Sequence, residues 1–492
     1  MKYKILGLVL MGAMLLCAAA AVHLDDANSV QRVHQHLSAR QPDAGCDCDG
    51  STLCTHLPLV VIDTGGQTVP GATTGERDRF DQSIYATAAD GSTTINVDVS
   101  VIDNETRNNH PDDAPALTTR STMRIRGNSS RSFEKKQYLL NFVDDQGENK
   151  DLEVMGMAAH HEWALNGPYL DKTLIRNYMW YNISGEIMEY APNVRFCEVI
   201  VDGEYRGLYL MVESVTDGEE GRLNLSENAQ NKKVNGYLLR IDRPTEEGLT
   251  DIRNIDTFLE RSGQLNLDIS VRYPGRSRLT EEEADLIEKD FSDFERALYS
   301  YDYDDRRYGY RTQIDVDNFI DYYLINEFSA NVDAGNYSTY LYKSIGTPYK
   351  LCVWDFNNVC DNYQDEETSP YEFFLYDRPL FNMLLKDEDF VERLIDRYHE
   401  LRQGVFSDAY LTQYIDATIA YLGDAVARNN AVWSEVFEDD TLMVPKTRNI
   451  HSYDEAVTQL KTFLDNRGDW IDRNIDSLRQ YCHPSHTKTY NY

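Results

Sequence analysis

NVDAGNYSTYLYKSIGTPYKLCVWDFNNVCDN, residues 331–362, decides how this chain is read. It puts Asp333 and Asn336 on one segment and Asp355 on another, with a strand hairpin expected between them. Asp333 stands just beyond an expected helix, and Asp355 follows the apolar strand Leu351–Trp354. Carboxylate and amide oxygens brought together in this way suit a hard cation such as Mg²⁺, which often shares its shell with phosphate. Functional residues gather where a strand end meets a loop. Asp and Asn are also ordinary turn residues, so an Asx turn at Asp333 and a solvated loop at Asp355 fit the same letters.

Working outward, the first half is rich in strand signals. Leu57–Asp63, Ser83–Thr87, Thr94–Ile102, Thr122–Arg126 and Gln137–Phe142 have the alternation or β-branched content of strands. A helix is expected at 171–189, with Leu174, Ile175, Tyr178, Met179, Ile183 and Ile187 on one face. Asp171 is placed to cap it. Phe196–Val201 and Tyr205–Glu213 flank Asp202-Gly203, a strong hairpin signal, and Tyr237–Ile241 adds a strand. The second half reads as helices. Thr280 and Glu283 form a capping box, Asp315 starts a helix, and Ser452 with Glu455 starts the last long one. Strands and helices segregated in this way give an α+β class rather than a doubly wound sheet.

The chain has 492 residues and a formal net charge of −34. That balance argues against nucleic acid as a partner, because phosphate backbones select Lys and Arg surfaces. It suits basic protein partners, cations or simple solubility. Residues 1–21 read as a signal peptide, with Lys2 and Lys4 before an apolar run and a small-residue exit. Export to the outside or the cell surface is therefore expected. Cys17 offers a lipoprotein cleavage site, although Leu16 before it is larger than such sites accept. No later stretch is long and apolar enough for a transmembrane segment. Cys46, Cys48, Cys54, Cys197, Cys352, Cys360 and Cys482 follow the signal. Cys46, Cys48, Cys54 and His56 could bind zinc, but a disulfide or a tether is the favoured reading. Cys352 and Cys360 could staple the hairpin around Asp355.

MRIRGNSSRSFEKKQYLLNF, residues 123–142, is a second candidate. A strand runs into a Gly/Asn/Ser turn, then Lys135 and Lys136, then another strand. Backbone N–H groups and hydroxyls in such a turn can face phosphate oxygens, and a lysine on the adjoining strand can reach them. Arg126 and Ser129 join the two lysines as nucleotide-binding candidates. Strand neighbours alternate, so Lys136 is expected inward with Tyr138 and Leu140, and Lys135 outward. An exposed hairpin with basic flanks is the plainer alternative. Glu213, closing the bridge between the halves, is a third candidate; a capped strand end explains it equally well. There is no GxSxG elbow, and His160-His161-Glu162 lacks the HExxH spacing. Ser/His/Asp hydrolysis therefore has little support, and no base-plus-nucleophile arrangement favours a metal-dependent hydrolase that would share the acidic cluster.

Taken in order, RIRGNSSRSFEKKQYLLNF, DKTLIRN, GEYRGLYLMVES, GYLLRID, NVDAGNYSTYLY and VWDFNN resemble the spore coat protein H (CotH) kinase family over roughly residues 57–365. The resemblance implies an atypical protein-kinase-like, two-lobed fold. Its expected parts are a linker at 22–56, a β-rich N-lobe at 57–215, a helical C-lobe at 216–482 and a tail at 483–492. It implies transfer of the γ-phosphoryl group of ATP to protein serines, with autophosphorylation and Mg²⁺ or Mn²⁺. Lys136 or Lys135 would hold the phosphates, and Asp333 would accept the hydroxyl proton. Asn336 and Asp355 would hold the metals, and Glu213 would lie at the hinge. The expected substrate is a basic, serine-rich protein. Glu186 is the nominated partner for the lysine. Many family members show WDxD where this chain has Asn357, which leaves a catalytically silent coat or surface protein as the alternative.

Overall fold

Alternation along the strands accounts for the first half of the molecule. In the strand Ile95–Ile102 the residues Ile95, Val97, Val99 and Val101 are buried while those between them face outward. The structure is a computed structural model. It describes residues 32–38, 46–77, 83–104, 106–218, 222–225, 235–243, 253–255 and 267–483. The expected signal peptide with Cys17 lies outside the described residues, as do much of the linker and nearly all of the tail. The chain divides into Met1–Val33 and His34–Tyr492, and every element named here belongs to the second unit.

Seven strands close into a barrel. They are β1 (Leu59–Asp63), β2 (Ile95–Ile102), β3 (Leu117–Ile125), β4 (Tyr138–Val143), β5 (Glu162–Asn166), β6 (Val194–Val201) and β7 (Glu204–Glu213). Around the barrel the order is β1-β6-β7-β5-β4-β3-β2 and back to β1. The contact of β1 with β6 is parallel; the other barrel pairs are antiparallel. Closure removes the exposed edges that an open sheet would present. The β6–β7 hairpin turns at Asp202 and Gly203, both with positive φ, as a two-residue turn of this kind requires.

β6 and the second half of β7 are buried on both faces. Cys197, Val199, Val201, Tyr209 and Met211 fill the barrel. Val194, Phe196, Leu208, Leu210 and Val212 face the main core under helix α1 (Arg176–Ile187). That helix differs from expectation. It runs from Arg176 to Ile187 rather than over 171–189, and Arg176 through Ser184 are all buried, so only its last turn, at Glu186, is wet. Asp171 does serve it, accepting from the Arg176 backbone N–H at 2.9 Å and pairing with the Arg176 guanidinium at 2.6 Å. It does so from outside the helix, since the N-cap position is Ile175.

The second half is not purely helical. It carries an antiparallel five-stranded sheet, ordered β9-β10-β8-β11-β12. Its members are β8 (Gly236–Asp242), β9 (Arg253–Ile255), β10 (Asp268–Tyr273), β11 (Thr339–Ser344) and β12 (Lys350–Cys352). The expected acidic hairpin is β11–β12, docked through β11 onto β8. The remaining α-helices among the described residues are α2 (Glu281–Leu298), α3 (Val316–Phe328), α4 (Phe381–Leu384), α5 (Glu388–Arg402), α6 (Asp408–Leu422), α7 (Asp424–Val432) and α8 (Tyr453–Asn474). The capping box at Thr280 and Glu283 forms as expected. Asp315 and Ser452 also cap their helices. One continuous core joins Phe196 and Leu210 of the barrel wall to Phe328, Leu394 and Leu464 of the helices. No helix among the described residues is long and apolar enough to cross a membrane.

The cysteine expectations change. All seven described cysteines are free thiols. Cys352 donates to the Val353 carbonyl and Cys360 to the Ser329 carbonyl, so the hairpin is held by sheet bonds rather than by a staple. His56 is buried with its ring edge-on to Tyr421 at 5.0 Å; it packs in the core and is not grouped with the cysteines.

Candidate functional site

The 331–362 segment folds so that Asp333 and Asp355 come within electrostatic range of each other. Residues between α3 and β11 carry Asp333, whose carbonyl accepts from the backbone N–H groups of Asn336 and Tyr337. Asp355 follows β12 and takes a φ of 60°. Among the described residues, five of the eight non-glycine residues with positive φ lie in this segment or next to it: Ala330, Ser338, Asp355, Cys360 and Asp361. Backbone in this region costs on the order of 1–3 kcal/mol per residue and gathers at sites where function fixes the geometry.

Burial pushes the Asp333 carboxyl above the usual carboxylate range, and the Asp355 charge adds to the effect. Opposing it are a 2.9 Å hydrogen bond from the Asn358 amide and the Arg243 guanidinium at 3.9 Å. Burial pushes Asp355 up as well, against the pull of Arg126. Arg126 lies over the Trp354 ring at 5.3 Å and donates to the Gln137 side chain at 3.2 Å. Two carboxylates from separate segments therefore share one poorly solvated neighbourhood with an arginine. That is the charge arrangement a bound cation and an anionic ligand would each complete.

The Asp355 loop is held from behind by α1. The Asp355 backbone N–H donates to the Tyr181 hydroxyl at 3.1 Å, and the Phe356 N–H donates to the Asn177 side chain at 2.8 Å. Arg176 reaches the Val359 carbonyl at 3.1 Å. Asn177 also donates to Asn357 at 2.6 Å, and Asn357 donates to Asp355 Oδ1 at 2.6 Å. The chain of amides continues through Asn166 to Gln137 and Arg126. Asn357 is thus a relay: it accepts from a helix amide and hands a proton donor to the carboxylate. Asp355 Oδ2 and the Asn336 amide hold no hydrogen bond among the described residues, which leaves them able to ligate a cation. The side-chain oxygens of Asp333 and Asp355 are not part of any group of three ligands within 4.8 Å of one another. A cation here would bridge to its ligand rather than sit in a closed protein cage, which is the habit of Mg²⁺.

The lysine expectation is corrected. Lys135, not Lys136, is the inward member. It is fully buried, donating to the Asn429 side chain at 2.7 Å and more weakly to the Pro168 carbonyl at 3.4 Å. Its ammonium also lies 5.1 Å from the Tyr209 ring centroid, and burial pulls its pKa well down. Lys136 is half-buried and donates to the Arg131 carbonyl at 3.1 Å. Alternation failed because β4 begins only at Tyr138, so both lysines lie on the turn before the strand. Ser129 opens the short 3-10 turn Ser129–Ser132 and is exposed. Glu213 is fully buried, and its carboxylate accepts from the Asn193 backbone at 2.8 Å and side chain at 3.0 Å. It ties the start of the β6–β7 hairpin to its end. Glu186 pairs with His34 at 2.9 Å and takes the Tyr410 hydroxyl at 2.5 Å, so its partners are not the lysines.

Asp242 was not foreseen. It ends β8, its charge adds to the upward push on both Asp333 and Asp355, and it forms an ion pair with Arg240 at 3.3 Å. The signal was present in GYLLRID, an apolar strand ending in Asp, the same pattern that marks Asp355.

A family model described as CotH kinase protein matches residues 123–471. Inner spore coat protein H of Bacillus subtilis (strain 168) is 20% identical over 360 residues, covering 72% of this chain and 86% of its own length. The matched range contains Arg126, both lysines, Asp242, Asp333 and Asp355. It leaves out Cys46–Cys54 and His110.

Proposed function

The chain belongs to the CotH kinase family, and on that premise we propose that it transfers the γ-phosphoryl group of ATP to serine hydroxyls of proteins, its own included, with Mg²⁺ or Mn²⁺. The observation that carries this reading is the shared neighbourhood of Asp333 and Asp355 with Arg126 beside them. Asp333, raised by burial, is suited to accept the hydroxyl proton. Asp355 Oδ2 and the Asn336 amide would hold the cation. Arg126 would offset phosphate charge, which is the main demand of this chemistry. Lys136 reaches the phosphates only by giving up its bond to the Arg131 carbonyl. Ser129 would add a hydroxyl from the same turn. In this reading the barrel half, 57–215, serves as the N-lobe and 216–482 as the C-lobe, with Glu213 at their junction as a structural tie. A spore coat location follows the relative's printed name, a secreted or cell-surface one follows the expected signal peptide, and basic, serine-rich protein substrates follow the acidic charge.

Labelling decides it. The purified chain is incubated with γ-labelled ATP and Mg²⁺ or Mn²⁺, beside Asp355→Ala. Label on the wild type that disappears in the variant supports the proposal. Equal label on both, or none on either, removes it.

One observation favours a second reading, a coat-binding protein that keeps the fold without catalysis. The Asn357 amide is spent between Asn177 and Asp355, so the position where many relatives carry a second carboxylate offers no charge to a second cation. Under this reading ATP with metal leaves the melting temperature unchanged, since only a ligand that binds the folded state raises it.

A further inference from the structure

The geometry points to a structural zinc site, outside the kinase-family region, built from Cys46, Cys48, Cys54 and His110. One ligand atom from each of the four lies within 4.8 Å of all the others. Cys46 Sγ is 3.5 Å from His110 Nε2. With Zn–S near 2.3 Å and Zn–N near 2.0–2.1 Å, the S-to-N edge of a tetrahedron is about 3.6 Å. Sulfur atoms paired in a disulfide would stand at about 2.05 Å, and none of these three cysteines is so paired.

The surroundings are those a metal-bound imidazole and thiolate need. His110 turns its other ring nitrogen, Nδ1, toward Asp113 Oδ2 at 3.3 Å, and its backbone N–H donates to the same oxygen at 2.9 Å. Asp113 is itself held by Arg107 at 3.0 Å and Asn104 at 3.1 Å. A carboxylate behind the histidine fixes the tautomer that leaves Nε2 free to ligate. The Asn108 amide donates to Cys54 Sγ at 3.2 Å, offsetting thiolate charge. The two segments are already registered by paired backbone bonds between Thr55 and Asn109.

Four protein ligands leave no open position, so the site is structural rather than catalytic. Each cysteine binds as the thiolate and releases its proton to solvent. Three thiolates and one neutral imidazole on Zn²⁺ carry one net negative charge, and Arg107 stands close by through Asp113. The ion would clip the segment leading into β1 to the β2–β3 loop, fastening the chain where it enters the barrel.

The test is metal analysis of the full chain purified without added chelator, beside Cys48→Ser, His110→Ala and Asp113→Asn. The expected result is one zinc per chain in the wild type, none in the first two variants, and zinc held 10–100-fold more weakly in the third. Cobalt exchanged into the wild type should give the d–d and thiolate charge-transfer bands of a tetrahedral S₃N site, a readout independent of whether any variant folds. No zinc in the wild type after incubation with the metal overturns the proposal. So does a disulfide linking two of the three cysteines in peptide maps, or zinc retained in Cys48→Ser. The kinase reading is untouched by each of these outcomes.

Discussion

Asn357→Asp separates a relay amide from a metal ligand. In the wild type the Asn357 amide donates to Asp355 Oδ1 at 2.6 Å. An aspartate there loses that donor and sets a second carboxylate against the first. Two unit charges about 4 Å apart at an effective dielectric of about 20 repel by roughly 4 kcal/mol. The molecule can escape by holding one shared proton, at about 1.4 kcal/mol for each pH unit above an ordinary carboxyl pKa of about 3.9. The metal-free variant should therefore lose about 4 kcal/mol at pH 7.5, where repulsion sets the ceiling. At pH 5, where protonation is the cheaper route, it should lose about 1.5 kcal/mol. The sign follows from a folded-state pKa raised above the unfolded one. The penalty is absent below the unfolded pKa, grows as pH rises, and levels off above the folded pKa. Urea denaturation in chelator at the two pH values, followed by tryptophan fluorescence, measures it. Adding Mn²⁺ should restore most of the loss. A penalty that does not change with pH, or a metal-free variant as stable as wild type at pH 7.5, refutes the relay.

Asp355→Asn should raise the metal-free melting temperature, more at pH 8 than at pH 5, while abolishing phosphate transfer, because burial raises this carboxyl. Arg467→Met should cost about 3–5 kcal/mol in urea denaturation, since Arg467 is fully buried and pairs with buried Glu327 at 2.5 Å; adding Glu327→Met should recover most of it. Asn429→Ala should cost about 2–3 kcal/mol by leaving the Lys135 ammonium without its main acceptor. Lys135→Met should leave nucleotide affinity unchanged by calorimetry while Arg126→Ala weakens it, the order set by which cation acts on Asp355.

Local signals in the sequence carried well. Asp202-Gly203 turns its hairpin as read, the Thr280–Glu283 box forms, and Asp333, just beyond a helix, comes within electrostatic range of Asp355, just beyond an apolar strand. What failed was non-local. The β1–β6 pairing joins residues far apart in the chain, and no local pattern encodes it, so barrel closure was invisible. The apolar face read along α1 said nothing of the polar Arg176, Asn177 and Asn182. Those side chains are buried, and the first two bind the Asp355 loop. The lysine register slipped because alternation was carried past the true start of β4. His110 escaped the cysteine group because it lies beyond four intervening strands, whereas His56 was merely close in sequence.

Gly207, with φ at 91°, sits at the bulge in β7 where a Cβ would come within 2.6 Å of Asn429 Oδ1. The same oxygen accepts from the Leu208 N–H and from Lys135. The main acceptor for the buried Lys135 is therefore supplied by α7, 294 residues later in the chain. During translation the strands emerge long before that helix does, and until the ribosome has released residue 429 the nascent barrel holds a cation with no carboxamide to meet it. Fragments ending before α7 should consequently behave as clients of chaperones and proteases rather than as a separable N-terminal piece.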